Sequence, residues 1–555
     1  MKKTLLTTCN AKYIHKNLAL RWIYTTCPNK EDVILKEYTI KDDSHRIIED
    51  ILSMQVEVVC FSCYIWNIEK TKEIIKELKK RQNDIHIFVG GPEVSFSSFE
   101  LLEEGVDAIC IGEGEESVWE YIQMLQTKPR EICGIYTKQF PNKEYRKVDL
   151  AWLETFEDPY FLSMDTNDMG KRYLYLETSR GCPYGCTYCL SSTDRSVRMF
   201  SEDYVIKLLE QISKSDVKQV KFLDRTFNSN PQRALRIARY INEHCKNQIF
   251  QFEIVAETLS EDLLQFFCEE ADVSRFRFEV GVQSFKEKTL ASVGRIQNNA
   301  RLVEVLHRLK QAGCILHVDL IAGLPYEGMQ SFEQSFNTLF SLQAGEVQLG
   351  ILKLLKGTKL RSQQEEFSFD YHEHAPYDVV STAWLSQEEM LKIHQCADAV
   401  EKFWNSGVCR DVLRLVLEKN WYTSAFLMFM DLGKEYAKLK RPYQPYELFQ
   451  CLYPLLKCSK KEADAIILTY YNRRFKQKPK RFIQNYLTQE KKNELLRFAF
   501  EKGVANQQQL FCYGLADIGY KNTLGYQIVL YNEHQTYPKQ YFIDLEMMTC
   551  EEMKL

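Results

Sequence analysis

Three cysteines, Cys182, Cys186 and Cys189, stand in the spacing CxxxCxxC within ETSRGCPYGCTYCLSS. Thiolates are soft ligands that suit iron-sulfur clusters or zinc, and short spacing on one loop lets them converge on a single metal centre. Gly181, Pro183 and Gly185 permit the tight backbone path that convergence needs. A closed zinc site requires a fourth Cys or His. No histidine lies between His86 and His244 and no fourth cysteine lies near the loop, so a distant residue would have to complete such a site. Three ligands on a four-iron cubane leave one iron open, and an open iron binds substrate. The expected centre is a 4Fe-4S cluster on these three cysteines, which then serve as metal ligands and as part of the catalytic apparatus.

The cysteine loop directly follows the first strand of an α/β series. Apolar, strand-like runs fall at 173–179, 217–224, 250–256, 276–284, 314–324 and 347–355, with amphipathic helices expected over 202–213 and 299–312. Gly313 is a helix stop directly before the next strand. Six strand and helix pairs in succession predict a partial or full barrel of parallel strands, with its active site at their carboxyl ends. Upstream, runs at 3–8, 33–40, 56–63, 85–90 and 106–111 alternate with helical patterns at 17–25, 44–54 and 68–81, which predicts a doubly wound sheet of five strands. The fold class is therefore α/β. An N-terminal doubly wound parallel sheet occupies 1–126, a linker 127–170, a central partial barrel 171–371, and a mainly helical C-terminal domain 372–555. That last region ends in an expected hairpin, YQIVLYN and QYFIDLE, separated by the turn EHQTYPK at 533–539.

Composition narrows the class. With 555 residues the chain is too long for one core. Its 72 basic and 76 acidic residues give a net charge of -4, which offers no global electrostatic reason to expect nucleic acid as a partner. No apolar run approaches the roughly 18 to 20 residues of a membrane helix, and MKKTLLTTCNAKYIHK is a poor export signal. The 18 cysteines then belong to a reducing compartment, the cytoplasm, where most of them, such as Cys60 and Cys110 inside apolar runs, are core residues.

The motif, with the aromatic Tyr188 just before its last cysteine, resembles that of the radical S-adenosylmethionine superfamily. The resemblance implies that the fourth iron chelates S-adenosylmethionine and that the reduced cluster breaks its carbon-sulfur bond. GVQS (281–284), Arg295 and DLIAGLP (319–325) are similar to segments of the branch that includes the oxygen-independent coproporphyrinogen oxidases. The likeness implies cofactor contacts at Gln283, Arg295, Asp319 and Glu253, with Glu257 a rival for the last, and at Tyr188. That branch usually has a glycine-rich segment after the second strand. LDRTFNSNP stands there instead, so Asp224 and Asn228 are expected to substitute.

The first domain resembles the cobalamin-binding domain of the subclass that includes the anaerobic magnesium-protoporphyrin ester cyclases. The loops CNAKYIH (9–15), FSCYIWN (61–67), GGPEVS (90–95) and GEGEES (112–117) would face cobalamin through Asn10, Ser62, Gly90, Gly91, Glu113 and Gly114. The cobalt-ligating DxHxxG pattern is absent, so His15 is expected to be structural. NAKYIHKNLALRW, DRTFN and KLLKGT together look like the members that carry a C-terminal domain of unknown function. The leading expectation is a cobalamin-dependent radical enzyme that methylates or rearranges an unactivated carbon of a small molecule or peptide, supplied with electrons by flavodoxin or ferredoxin. Two alternatives stand beside it: a methylthiotransferase-like enzyme with a second cluster on Cys9, Cys60, Cys63 and Cys110, and a non-enzymatic corrinoid or redox sensor.

Overall fold

A computed structural model describes residues 1–96, 99–475, 487–504, 513–520, 523–530 and 538–553. The chain forms two compact units: Met1–Ser335 with Gly350–Gln387, and Phe336–Leu349 with Glu388–Leu555.

The first unit opens with strands β1 (Thr4–Asn10), β2 (Val33–Thr39), β3 (Val58–Ser62), β4 (His86–Gly90) and β5 (Ala108–Cys110). They are parallel and ordered β2-β1-β3-β4-β5. β1 and β3 are buried at every residue, as strands covered on both faces must be. Helices Leu18–Thr25, Ser44–Ser53 and Ile68–Arg81 lie where the periodicity placed them. The strand order reverses between β1 and β3, and ligands of doubly wound sheets bind at that switch point beyond the carboxyl ends. A sixth strand, β6 (Ile135–Tyr136), adds antiparallel to β5 within the stretch expected as linker. Two residues are too short a run to show any periodicity.

The barrel sheet contains β7 (Leu174–Leu176), then, after a two-stranded ribbon of β8 (Ser179–Arg180) and β9 (Arg198–Met199), the strands β10 (Gln219–Phe222), β11 (Ile249–Ile254), β12 (Phe276–Gln283), β13 (Ile315–Ala322) and β14 (Glu346–Ile351). Its order is β14-β13-β12-β11-β10-β7, a run of six rather than a full ring of eight. β12 and β13 alternate strictly between buried and half-buried residues. The buried face is an aromatic layer: Phe222, Phe252 and Phe278 pack with Phe267, with ring centroids 4.5 Å apart for Phe222–Phe252 and 4.7 Å for Phe267–Phe278. The opposite face carries Lys221, Gln251, Glu253, Arg277, Glu279, His317 and Asp319.

Two ion-pair clusters tie the doubly wound sheet and its trailing segment to the barrel. Arg180 reaches Glu113 at 3.2 Å, Glu115 at 2.7 Å and Glu177 at 2.7 Å, while Arg198 also pairs with Glu113. Arg21 grips Asp165 at 2.7 Å and Glu37 at 3.0 Å, and Arg172 joins Glu37 at 3.2 Å. The segment after β6 is thus packed in place by Asp165.

The second unit is helical over Arg410–Glu418, Ala425–Ala437, Lys460–Tyr471 and Gln489–Glu501. It ends in an antiparallel sheet of four strands, Tyr513–Tyr520, Thr523–Leu530, Lys539–Asp544 and Thr549–Glu552. The middle two are the expected hairpin; residues 533–537 of its turn lie outside the described residues. The outer two went unseen because Gly514 and Gly519 weaken the strand signal and TCEE is short. Among the described residues no helix is long and apolar enough to cross a membrane.

Replacing Arg180 by Met strands Glu115 and Glu177, of which Glu115 is 5% exposed, while Glu113 keeps Arg198. Loss of a buried charge partner costs about 3–5 kcal/mol. Arg180→Met is therefore expected to lower the urea midpoint, followed by circular dichroism, far more than the exposed-pair control Lys214→Met.

Candidate active site

The cysteine loop is set between fixed points. The Cys182 N–H donates to Asp194 O at 3.0 Å, Thr187 N–H to Val293 O at 2.9 Å, and Leu360 N–H to Thr187 O at 2.9 Å. Gly181 turns at φ +92°, and a Cβ there would lie 2.0 Å from Ser196 O. Cys186 is buried, while Cys182 and Cys189 are half-buried. Burial pushes the Cys182 thiol up, opposed by hydrogen bonding from Tyr184 and Thr226 and reinforced by Cys189 and Cys186. The three sulfurs therefore sense one another, although among the described residues no three His, Cys, Asp or Glu side chains are gathered at metal-ligand distance. Among the described residues no fourth Cys or His gathers with the three thiols, and this donor set fits a cluster with one open iron.

Around this loop, several residues expected to touch the cofactor present buried polar atoms with no hydrogen-bond partner. Gln283 ends β12 in the left-handed region at φ 68°, beside a register shift, and its Oε1 is unpaired. Both carboxylate oxygens of Glu257 are unpaired, and burial raises its carboxyl. Asp319 Oδ1 makes no hydrogen bond although His317 Nε2 lies 3.1 Å away. Arg295 donates to Gln297 Oε1 at 2.8 Å and to Gly281 O, and it lies within electrostatic reach of Tyr188, Cys186 and Glu257. Burial lifts Tyr188 well above the usual phenol range, against the pull of Arg295. Glu253, half-buried on β11, is raised to about 7 by burial, with Arg225 at 3.9 Å opposing. Gln283, Glu257, Asp319, Arg295 and Glu253 thus gather polar groups at the carboxyl ends of β11, β12 and β13.

Other expected contacts are already engaged. Asp224 is buried and accepts from Thr178 N–H at 3.2 Å, Thr178 Oγ1 at 3.1 Å and the Ser179 hydroxyl. Asn228 donates to Val255 O at 2.9 Å and accepts from Val255 N–H at 3.1 Å. Both residues hold strand ends in place. Glu113 accepts from Val148 N–H at 2.7 Å and belongs to the Arg180 and Arg198 pairs. Gly114 packs closely, since a Cβ would lie 3.2 Å from Cys110 Sγ.

At the switch point of the doubly wound sheet, Asn10 donates to His15 O at 3.1 Å and Glu37 Oε1 at 3.0 Å. Ser62 Oγ accepts from Asn17 Nδ2 at 3.3 Å. Gly91 has φ +105°, and a Cβ would sit 2.5 Å from Cys63 O; Gly90 has Cys110 Cβ at 3.2 Å from its own virtual Cβ. His15 Nδ1 lies 2.6 Å from Tyr175 Oη, with the ring beside Tyr173 and Tyr175, so the barrel holds it. Cys9 and Cys63 belong to the core on one face of this sheet, Cys60 and Cys110 to the core on the other, so the four do not share a site.

Sequence reasoning missed Arg180, Asn17 and Asn67. Arg180 directly precedes the GC of the motif, a position that signals a link between strand and loop. Asn67 donates to Thr8 Oγ1 at 3.0 Å, Cys9 O at 3.2 Å and Ser62 O at 3.1 Å, joining β1 to β3 at the switch point.

Comparison with known families agrees with this geometry. Residues 5–121 match the B12 binding domain, residues 176–339 the Radical SAM superfamily, and residues 365–523 a protein family of unknown function, DUF4080. The chain thus carries a radical S-adenosylmethionine domain over 176–339. Its N-terminal sheet falls within the B12 binding domain match. Among curated proteins it is 24% identical over 304 residues to an uncharacterized methyltransferase, PH0819, of Pyrococcus horikoshii, covering 52% of this chain and 64% of that one. It is 28% identical over 216 residues to the cobalamin-dependent radical SAM methyltransferase TokK of Streptomyces tokunonensis, covering 34% and 30%. The chain thus spans less than two thirds of the length of these relatives. Among solved structures, the cobalamin-dependent S-adenosylmethionine radical enzyme OxsB with aqua-cobalamin bound superposes with a TM-score of 0.60 at 17% identity, over 91% of this chain and 82% of that one. The methyltransferase TsrM of Kitasatospora setae gives 0.54 at 16%, over 68% and 76%. These likenesses establish the shared fold.

Gly181→Ala forces a Cβ into Ser196 O and a side chain into positive φ. Iron retained after anaerobic reconstitution is expected to fall severalfold, measured by colorimetric iron assay against protein. Glu327, fully buried, accepts from Ser284 Oγ at 2.6 Å and Ser335 Oγ at 3.2 Å beside the Gln283 turn. Burial raises it from 4.5 to about 7, so its contribution to stability is present below pH 4.5 and is lost as pH rises through 7. Glu327→Gln removes that loss: relative to the parent, its unfolding free energy should rise by about 2–3 kcal/mol between pH 4.5 and 8, read by urea denaturation.

Proposed function

We propose that this chain is a cobalamin-binding radical S-adenosylmethionine enzyme that methylates or rearranges an unactivated carbon. The observation carrying this reading is the set of buried polar atoms without a hydrogen-bond partner on Gln283, Glu257 and Asp319, with Arg295 in electrostatic reach of both Glu257 and Cys186. Buried polar atoms without partners are rare unless a bound group completes them. Cys182, Cys186 and Cys189 would hold the cluster, which when bound would supply the electron for cleavage of S-adenosylmethionine, and cobalamin when bound would supply methyl-transfer chemistry.

The protein's own residues bind and orient. Arg295 offers its guanidinium to the carboxylate of the methionine moiety, and Gln283 Oε1 and Asp319 accept from ribose hydroxyls. Glu253 or Glu257 takes a further polar contact. Asp224 and Asn228 position the strand ends that hold these groups. Gly90 and Gly91 let the backbone approach a nucleotide tail, with Asn10 and Ser62 lining the same switch point. His15, engaged with Tyr175, is held away from the role of a cobalt ligand. The aromatic layer behind the barrel strands helps to exclude water from a radical reaction.

The substrate is a small molecule or peptide, and the reductant is of the flavodoxin or ferredoxin type. Anaerobically purified, reconstituted protein should contain about four irons and one corrinoid per chain, and dithionite-reduced protein should form 5′-deoxyadenosine from S-adenosylmethionine. Cys186→Ala should lose both iron and cleavage. Iron near eight per chain without corrinoid would favour a methylthiotransferase-like enzyme. Cluster and corrinoid without any 5′-deoxyadenosine would favour a sensor.

A further inference from the structure

The polar face of the barrel sheet is arranged in tiers. Register pairs Tyr175 with Lys221, Lys221 with Gln251, Gln251 with Arg277, and Arg277 with Ile315, so these five form one row across β7, β10, β11, β12 and β13. All five are half-buried on the face opposite the phenylalanines. The next row toward the carboxyl ends pairs Glu253 with Glu279 and Glu279 with His317, and above it Gly281 pairs with Asp319. The upper rows are acidic and lie with the proposed cofactor contacts. The lower row is basic.

Within that lower row Arg277 is out of balance. Among the described residues its guanidinium makes no hydrogen bond or ion pair, and its Nε is buried without a partner. The carboxylate two residues further along β12, Glu279, is engaged by the Gln251 amide at 2.7 Å. Lys221 Nζ lies 4.7 Å over the ring of Tyr173, and its charge reaches His15 in the loop after β1 of the B12 binding domain. The row therefore runs from the loop at the mouth of that domain into the barrel. A half-buried guanidinium without a partner is costly unless a ligand completes it.

We infer that Arg277, with Gln251 and Lys221 beside it, seats a carboxylate group of the substrate on the floor of the barrel. This rests on the proposed function only for the identity of the cofactors above it. Arginine forks to a carboxylate through two parallel N–H donors, and Lys221 adds a second positive charge. The acidic tier directly above disfavours a dianionic phosphate, so a monoanion is the better match. The apolar Ile315 at the far end of the row gives the adjoining carbon chain a surface to lie on.

The test uses the full-length, anaerobically reconstituted protein, with S-adenosylhomocysteine present to cover the Arg295 side. Binding of hexanoate, hexanamide and hexyl phosphate is measured by ligand-observed NMR titration. Hexanoate should bind the parent protein more tightly than the other two, Arg277→Gln should weaken it by about tenfold or more, and Arg277→Lys should retain part of it. Hexanamide should bind equally to all three proteins. Hexanoate that fails to bind the parent, binds Arg277→Gln undiminished, or is outcompeted by hexyl phosphate overturns the assignment. Should circular dichroism show Arg277→Gln unfolded, Lys221→Gln is read by the same criterion, a loss of hexanoate but not of hexanamide. Iron and corrinoid are counted on the same samples. Their absence from a parent that still binds hexanoate refutes the cofactor reading alone, and their presence without Arg277-dependent binding refutes the carboxylate site alone.

Discussion

The cysteine loop is anchored by one half-buried cation held among carboxylates. Arg180 stands two residues before Cys182 and is surrounded by Glu113 and Glu115 from the first sheet and by Glu177 from the end of the first barrel strand. Burial opposes its charge, and the three carboxylates more than restore it. A charge in that setting has no lower-energy place to go, so the loop leaves the barrel in one direction only. The geometry of the metal-binding cysteines is therefore fixed jointly by both parts of the unit, and neither sheet alone contains the whole constraint.

The polar residues at the strand ends divide by whether their hydrogen bonds are complete. Asp224, Asn228 and Glu113 have theirs within the protein, and they set where strands stop and loops begin. Gln283, Glu257 and Asp319 do not. Both groups consist of ordinary polar residues with equal claims on paper. Only the count of donors and acceptors around each separates scaffold from contact surface.

That distinction explains how much was legible in the sequence. Period and length placed all eleven strands expected in the two α/β sheets, because these strands are parallel and read as unbroken or alternating apolar runs. The cysteine spacing was legible because three thiols so close together have few other uses. Partnership was not legible. Glu113 sits in a loop that looks free, yet Arg198 and Arg180 approach it from 85 and 67 positions away, a closure no local pattern records. The tie made by Asp165 to Arg21 is equally invisible, as is Asn67 reaching three acceptors at the switch point. The hairpin strands were visible through their β-branched and aromatic residues, whereas glycine hid the flanking strand at Tyr513–Tyr520.

The strict two-residue rhythm of β12 and β13 carries an evolutionary consequence. Because neighbouring side chains point to opposite faces, a single inserted or deleted residue would turn Arg277 and Glu279 into the phenylalanine layer and send Phe276 and Phe278 onto the polar face. Length changes in these strands are thus forbidden, while exchanges at the inward positions leave the packing behind them untouched. Descendants of this fold are free to acquire new chemical tastes one side chain at a time, on a scaffold that tolerates no slippage.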